Sequence, residues 1–366
     1  MKVCILSMQK VDNMGSLLQS YALKKIIESI DCEVEFLEIH KIEEDYALLG
    51  DVREVYHESE RTGFVGKLKK LDKYLLNRMK IKHSSYQQRE LFNIFRNSQL
   101  GIERQRGRYD LCVIGSDEVF NCLNSGAWGF TSQLFGNVPE ANRVITYAAS
   151  CGATKYDNLT IPIRCKIAES LKKMVSISVR DKNTYEFIQN LSSQEIETHL
   201  DPALIYDFQK EVDAVSVGFS KKYCIIYSYY NRIHDKHEVD AIVKFCIGNN
   251  LTPIALGAPQ YWIKEYIPCS PFECLKYFQN AEFVITDTFH GTIFAAKYSK
   301  AYGVLTRPSN YNKLSDLVNR LRIQNHLMDS IDEIDSKYLM PKTDISEIIQ
   351  VERERTLDYL RQHCKE

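Results

Sequence analysis

The sequence predicts an α/β protein built from two Rossmann-like, doubly wound domains. Three observations lead there. The 366-residue chain is long enough for two domains. Apolar stretches of strand length alternate with helical ones along most of it, the pattern of parallel βαβ sheets. A polar segment without strong periodicity, residues 207–222, splits that alternation into two series. The domains are therefore expected at 1–210 and 223–340, facing each other across a cleft, with 341–366 as a C-terminal helix that packs back over the junction.

In the first series, Lys2 to Ser7 reads as a buried strand, Asp12 to Ser16 as a turn, and Leu17, Leu18, Tyr21, Ala22, Leu23, Ile26 and Ile27 as the apolar stripe of a helix. Glu33 to Ile39 alternates, as a strand near a sheet edge does. An insert at about 41–108 then breaks the pattern. Residues 41–60 carry seven acids and two bases, whereas residues 61–108 carry thirteen Lys or Arg and three acids, a swing that marks a distinct surface element. Within it Leu68, Leu71, Leu75, Leu76, Met79, Leu91, Phe92, Ile94 and Phe95 recur at helical spacing. The first expectation is a helix docked on one side and solvated on the other. A basic surface for anionic lipid headgroups or a phosphorylated carrier is the second.

Strand signals resume at Leu111–Ile114, Val144–Ala149 and Val175–Val179, with a helix over Ile163–Met174. The second series sets strands at Tyr223–Tyr230, Leu251–Leu256, Phe283–Thr286 and Tyr302–Leu305 between helices at Glu238–Ile247, Phe272–Phe278, Thr288–Tyr298 and Leu314–Leu321. Ile345–His363 is the charged terminal helix.

Composition narrows the class of function. The chain is 44% hydrophobic and 26% charged, which suits folded cores rather than disorder. A net charge of −1 gives no global attraction to nucleic acid. Eleven scattered cysteines, none at Cys-x-x-Cys spacing, read as buried thiols of a reducing cytosol and not as a disulfide framework or a zinc site. The N-terminus lacks the apolar length of a signal peptide or membrane span, so a cytoplasmic location is expected.

In open parallel sheets ligands bind beyond the carboxyl ends of strands. After the first strand come Asn13, Gly15 and Ser16, which suit a turn or a helix N-terminus facing a polar group. After Ile114 come Gly115, Ser116 and Asp117. Their plain reading is a helix N-cap, and the alternative is a general base at a strand tip. After Val179 comes Arg180, better suited to binding an anion than to a simple pair with Asp181 or another acid. After Ile285 comes the densest cluster, Thr286-Asp287-Thr288-Phe289-His290-Gly291-Thr292, a cradle of hydroxyls and backbone donors holding a titratable histidine.

Taken in order, Asn13-x-Gly15-x-x-x-Gln19-x-Tyr21-Ala22-Leu23, Gly115-Ser116-Asp117 with Asn121, Tyr147-Ala148-Ala149-Ser150 before Gly152, Ser178-Val179-Arg180-Asp181, Asp201-Pro202-Ala203-Leu204 and Asp287-Thr288-Phe289-His290-Gly291-Thr292 resemble the polysaccharide pyruvyl transferase family. The resemblance implies a GT-B-like fold and transfer of pyruvate from phosphoenolpyruvate onto two hydroxyls of a sugar, as a cyclic ketal with release of phosphate. It implies His290, Asp117 and Arg180 as catalytic residues, with Asn13, Gly15, Gly115, Ser116, Thr288, Phe289, Gly291, Thr292 and Lys313 around the substrates. The chain has Thr288 where some members have an arginine two positions before the histidine, and Phe120 where tryptophan is common. No cofactor and no metal are expected, phosphoenolpyruvate being the donor substrate. The expected partners are a saccharide acceptor, in a polysaccharide of the cell envelope or its lipid-linked precursor, and an anionic membrane surface. Two other functions fit the same cleft: a glycosyltransferase using a nucleotide sugar, and a non-catalytic relative.

Overall fold

The structure, a computed structural model, describes residues 1–40, 42–48, 71–102, 107–122, 129–307 and 311–365, with the side chains of 46, 71–80 and 311–313 outside the description. The first sheet is formed by β1 (Lys2–Leu6), β2 (Glu33–Phe36), β3 (Tyr109–Asp117), β4 (Ala141–Ala149), β5 (Ile177–Val179) and β6 (Ile196–Thr198) in the order β2-β1-β3-β4-β5-β6. The second comprises β7 (Tyr223–Tyr227), β8 (Thr252–Ala255), β9 (Glu265–Tyr266), β10 (Phe283–Thr286), β11 (Tyr302–Leu305) and β12 (Leu327–Met328) in the order β12-β11-β10-β7-β8-β9. Every pairing is parallel. The chain is thus an α/β protein of two Rossmann-like sheets. Each sheet reverses its winding once, between β1 and β3 and between β7 and β10, which opens a crevice at their carboxyl ends.

Helices cover both sheets: α1 (Met14–Glu28), α2 (Glu43–Ala47), α3 (Leu71–Phe95), α4 (Ile161–Leu171), α5 (Lys182–Gln189), α6 (Pro202–Ile205) and α7 (Gln209–Asp213) in the first part of the chain. The second part adds α8 (Lys236–Gly248), α9 (Pro271–Asn280), α10 (Phe289–Tyr298), α11 (Tyr311–Leu321), α12 (Ile334–Tyr338) and α13 (Ser346–Lys365). Central strands are wholly apolar where both faces are covered, as in Val3, Cys4, Ile5 and Leu6, none of them exposed. One core cluster runs through both sheets, joining Leu17, Tyr21 and Leu204 to Phe278, Phe294 and Leu317.

Several boundaries differ from expectation. The strand expected to reach Tyr230 ends at Tyr227, and the one expected from Val175 begins at Ile177. The 207–222 junction contains the short helix α7, whose Glu211 accepts from Tyr21 and Tyr206. Ile94, placed on the apolar stripe of the insert, is exposed, while Ile81, Phe92 and Phe95 are buried. Leu68 and residues 49–70, which hold much of the charge swing, lie outside the described residues. Two basic residues of the insert meet Asp12: exposed Arg89 places Nε 3.3 Å from it, and buried Arg96 donates to it at 2.6 Å and to the Gln9 carbonyl at 3.0 Å. The insert thereby braces the turn after β1.

Helix α13 returns across the junction. Tyr359 donates to the Thr146 carbonyl of β4 at 2.8 Å, Thr356 meets the Tyr147 hydroxyl at 3.0 Å, and Arg143 donates to the His363 carbonyl at 2.7 Å.

Candidate functional site

Both winding reversals point their strand ends at one place. On the first sheet Asn13 caps α1, its Oδ1 accepting from the backbone amides of Gly15 and Ser16 at 2.8 and 3.3 Å. That capping turns the Ser16 hydroxyl toward β3, where it donates to Asp117 Oδ2 at 2.6 Å. Asp117 ends β3 in the left-handed region, φ 72°, and no helix begins in the described residues 118–122 that follow, so it is not the helix cap that its neighbours Gly115 and Ser116 suggest. Gly115 has φ +125°, and a Cβ there would sit 2.2 Å from the Tyr147 carbonyl oxygen, so no other residue fits. Buried Ser116 directs its hydroxyl to the Ala148 carbonyl at 2.8 Å and to Asp201 at 3.2 Å.

Arg180, at the end of β5, is 4% exposed. Its Nη1 donates to Asp201 Oδ2 at 2.8 Å and lies 3.9 Å from Asp117 Oδ1, while its guanidinium lies 4.1 Å over the Phe289 ring. The pairing with an acid, second choice on sequence, is what the structure shows, and the acid is Asp201 rather than Asp181. Asp181 caps α5 and accepts from Ser150 and Thr184. The Nε of Arg180 is buried without a partner.

On the second sheet Thr288 caps α10, accepting from the Gly291 amide at 3.0 Å. Thr292 is buried and returns its hydroxyl to the Thr288 carbonyl at 2.9 Å, and a Cβ on Gly291 would meet the Thr286 hydroxyl at 2.1 Å. These two residues build the turn. His290, second in the helix, places Nε2 3.5 Å from Asp201 Oδ2, with its ring against Phe294 and over Gly15. Lys313 falls in the first turn of α11, with its side chain outside the described residues.

Asp201 is the hub of this arrangement, and sequence reasoning gave it no role. Burial favours its neutral form, but His290 and Arg180 on the same oxygen, with the Ala203 amide, outweigh that and hold the carboxyl well below the usual range. As N-cap of α6 followed by Pro202 it carries an ordinary helix-start signature, which is all that one sequence shows. Ser228, Arg232 and Arg307 were missed too, and Ser16 was read only as part of the turn after β1, not as the partner of Asp117. Buried Asp287 accepts from Ser228 at 2.6 Å and lies 3.4 Å from Arg232 and 3.2 Å from Arg307, whose remaining nitrogens reach Glu238 at 2.5 and 3.0 Å.

Two adjoining cavities result. One of about 40 Å³ is lined by Asp117, Glu118, Arg180, Asp287, Phe289 and Leu314, the other of about 230 Å³ by Asn13, Met14, Ser228, Tyr230, Gly257 and Ala258. Both share Tyr229, Thr288 and His290. A wider hollow of about 520 Å³ lies away from the strand ends, where α6, α10 and α13 meet. There Lys297 of α10 donates to the carbonyls of Ala203, Leu204 and Tyr206 at 2.9, 3.1 and 2.6 Å. Helix α10 therefore grips α6 at both ends, through His290 at the Asp201 cap and Lys297 at the last carbonyls. Arg320 of α11 adds a second link, donating to the carbonyls of Arg180 and His199 at 3.0 and 3.3 Å. Among the described residues no group of three or more His, Cys, Asp or Glu side chains is disposed to hold a metal ion, and no helix is long and apolar enough to cross a membrane.

Fold and site define a class: a two-sheet α/β protein whose carboxylates, buried arginine and histidine converge from both sheets on one cleft. The chain belongs to the polysaccharide pyruvyl transferase family, whose model matches residues 13–301. Comparison with curated protein sequences gives no match. Among solved structures it is similar to the UDP-GlcNAc 2-epimerase of Methanocaldococcus jannaschii, with 11% identity, 98% of this chain and 100% of that one covered, and a TM-score of 0.48. It is also similar to the UDP-N-acetylglucosamine 2-epimerase of Rickettsia bellii (10% identity, 98% and 96% covered, TM-score 0.46) and to a UDP-glucosyltransferase of Polygonum tinctorium (10%, 100% and 98%, 0.41).

Proposed function

We propose that this transferase moves pyruvate from phosphoenolpyruvate onto two hydroxyls of a sugar, in a polysaccharide or its lipid-linked precursor, forming a cyclic ketal and releasing phosphate. The observation that carries the reading is that a carboxylate, Asp117, and an imidazole, His290, from opposite sheets line one small cavity beside a buried arginine.

The reaction needs a proton at the methylene carbon of the donor, which leaves the adjacent C2 electron-poor and open to attack. His290 is the group placed to deliver it: its imidazole lines the cavity, with Nε2 3.5 Å from Asp201. Asp117, oriented by Ser16, accepts the proton of the first attacking hydroxyl. The second hydroxyl then displaces phosphate from C2, its proton leaving with the phosphate. Atoms balance: two hydroxyl protons are lost, one appears in the new methyl group and one on phosphate.

The donor's negative charge must be met largely by groups other than Arg180, which already faces two carboxylates. The first-turn amides of α10 and the His290 ring, which line the small cavity, supply it. Incubation of the protein with phosphoenolpyruvate and a panel of methyl glycosides should give a new ketal methyl signal by NMR together with inorganic phosphate. Thermal stabilisation by a nucleotide sugar and none by phosphoenolpyruvate would overturn the donor assignment.

A further inference from the structure

Above His290 the larger cavity opens onto a ledge of tyrosine rings that the pyruvyl chemistry does not use. Tyr229 is 50% exposed and Tyr230 57% exposed, both following β7. Such exposure on a loose loop would mean little, but this loop is laced to the one after β8. Buried Gln260 donates to the Tyr229 carbonyl at 2.8 Å and accepts from the Ile233 amide at 3.2 Å. The Asn231 amide donates to the Pro259 carbonyl at 2.9 Å, and the Tyr261 amide donates back to Asn231 Oδ1 at 3.2 Å. The Tyr230 and Tyr261 rings meet edge to face at 5.6 Å with their hydroxyls hydrogen-bonded, and Arg232 lies 5.3 Å from the Tyr229 ring. The backbone of both rings is fixed while much of their surface stays in water.

That cavity continues from Tyr229 and Tyr230 to His290 and Asn13 and holds about 230 Å³. This is below the roughly 300 Å³ at which drug-sized ligand sites begin, and it suits one or two sugar rings. A pyranose has the matching chemistry: a face of C–H bonds for the electron-rich face of an aromatic ring, and a rim of hydroxyls for neighbouring polar groups. Arg232, the cation against the Tyr229 ring, is turned to Asp287, which leaves the ledge itself suited to a neutral ligand.

We propose that Tyr229 and Tyr230 form a stacking subsite for a saccharide ring of the acceptor, next to the ring that receives pyruvate. The proposal rests on the reading that the acceptor is a saccharide. It implies that the side after β7 and β8 guides the glycan.

The test is binding rather than turnover, so it stands apart from the donor assignment. Saturation-transfer NMR with methyl glucoside, methyl galactoside, methyl mannoside and their β-linked disaccharides should give transfer to sugar ring protons, stronger for the disaccharides. Tyr229→Ala combined with Tyr230→Ala should weaken that binding about tenfold. The Tyr→Phe pair, which keeps the rings, should retain it, with unchanged melting temperatures in both variants. No transfer to any of these sugars, or equal transfer in wild type and the alanine pair, would overturn the subsite. Sugar binding that depends on the tyrosines without stabilisation by phosphoenolpyruvate would uphold the subsite and overturn the donor assignment.

Discussion

Gly15 and His290, one from each sheet, are in direct contact: a Cβ on Gly15 would lie 2.1 Å from both Cγ and Nδ1 of the imidazole. The turn that Asn13 caps is therefore the floor on which the histidine of the facing sheet rests. The two halves of the site are held in register by backbone as well as by charge.

Gly15→Ala should consequently act on the reaction through His290. The added methyl must push the ring away, and a misplacement of that size costs about a hundredfold in rate. Steady-state ketal formation should fall by that order, while the far-ultraviolet circular dichroism spectrum stays native.

His290→Asn and Asp117→Asn should each lower turnover by about a hundredfold to ten-thousandfold, the usual worth of a positioned acid or base. Phosphate release with acceptor present is the measurement. Unchanged release in either variant would remove that residue from the mechanism.

Asp201→Asn keeps the cap on α6 but leaves Arg180 without its closest counter-charge. Breaking a buried pair from one side costs about 3–5 kcal/mol, which urea unfolding would read as a large drop in midpoint. Loss of activity without that drop would show that Arg180 finds its compensation elsewhere.

Lys297→Met removes three hydrogen bonds from the ammonium to the carbonyls ending α6. A charged hydrogen bond contributes about 1.5–3 kcal/mol, but burial lowers the Lys297 pKa from 10.5 to about 7 and so offsets part of the gain; unfolding should shift by about the worth of one such bond rather than of three. Because the same helix carries His290, turnover should fall further than the affinity for phosphoenolpyruvate.

Acid should weaken the fold through His199. Burial, with the positive Arg355 and Arg320 nearby, lowers its pKa from 6.5 to about 4. Between those values the unfolded chain binds a proton that the native protein does not. The stability it contributes is complete above pH 6.5 and is lost as the pH falls toward 4, amounting to roughly 3 kcal/mol. Thermal unfolding across that window should show this slope, and His199→Asn should flatten it.

The central strands could be read from the chain because both faces are covered and their residues are apolar nearly throughout, as in Phe283 to Ile285. Strands β6, β9 and β12, of three, two and two residues with mixed exposure, are too short to leave a periodic signal. His290 stood out because its turn gathers hydroxyls, a glycine and a helix start within a few positions. Asp201 did not, since its meaning lies in Arg180, 21 residues away, and in His290 on the other sheet. The same holds for Arg307 and Glu238, 69 residues apart and joined only by folding. Local chemistry is visible in one sequence, and partnerships made across a cleft are not.

Helix α13 sets the order in which the molecule can be finished. Its Tyr359 hydroxyl closes on the Thr146 carbonyl, 213 residues upstream. During synthesis at about 5–20 residues per second, that side of β4 waits roughly ten to forty seconds for its cover. The Thr146–Tyr147 stretch of β4 thus leaves the ribosome well before Thr356 and Tyr359 of α13, which close on it, have been made. A truncation removing residues 347–366 should do its damage at β4, some 213 residues upstream of Tyr359.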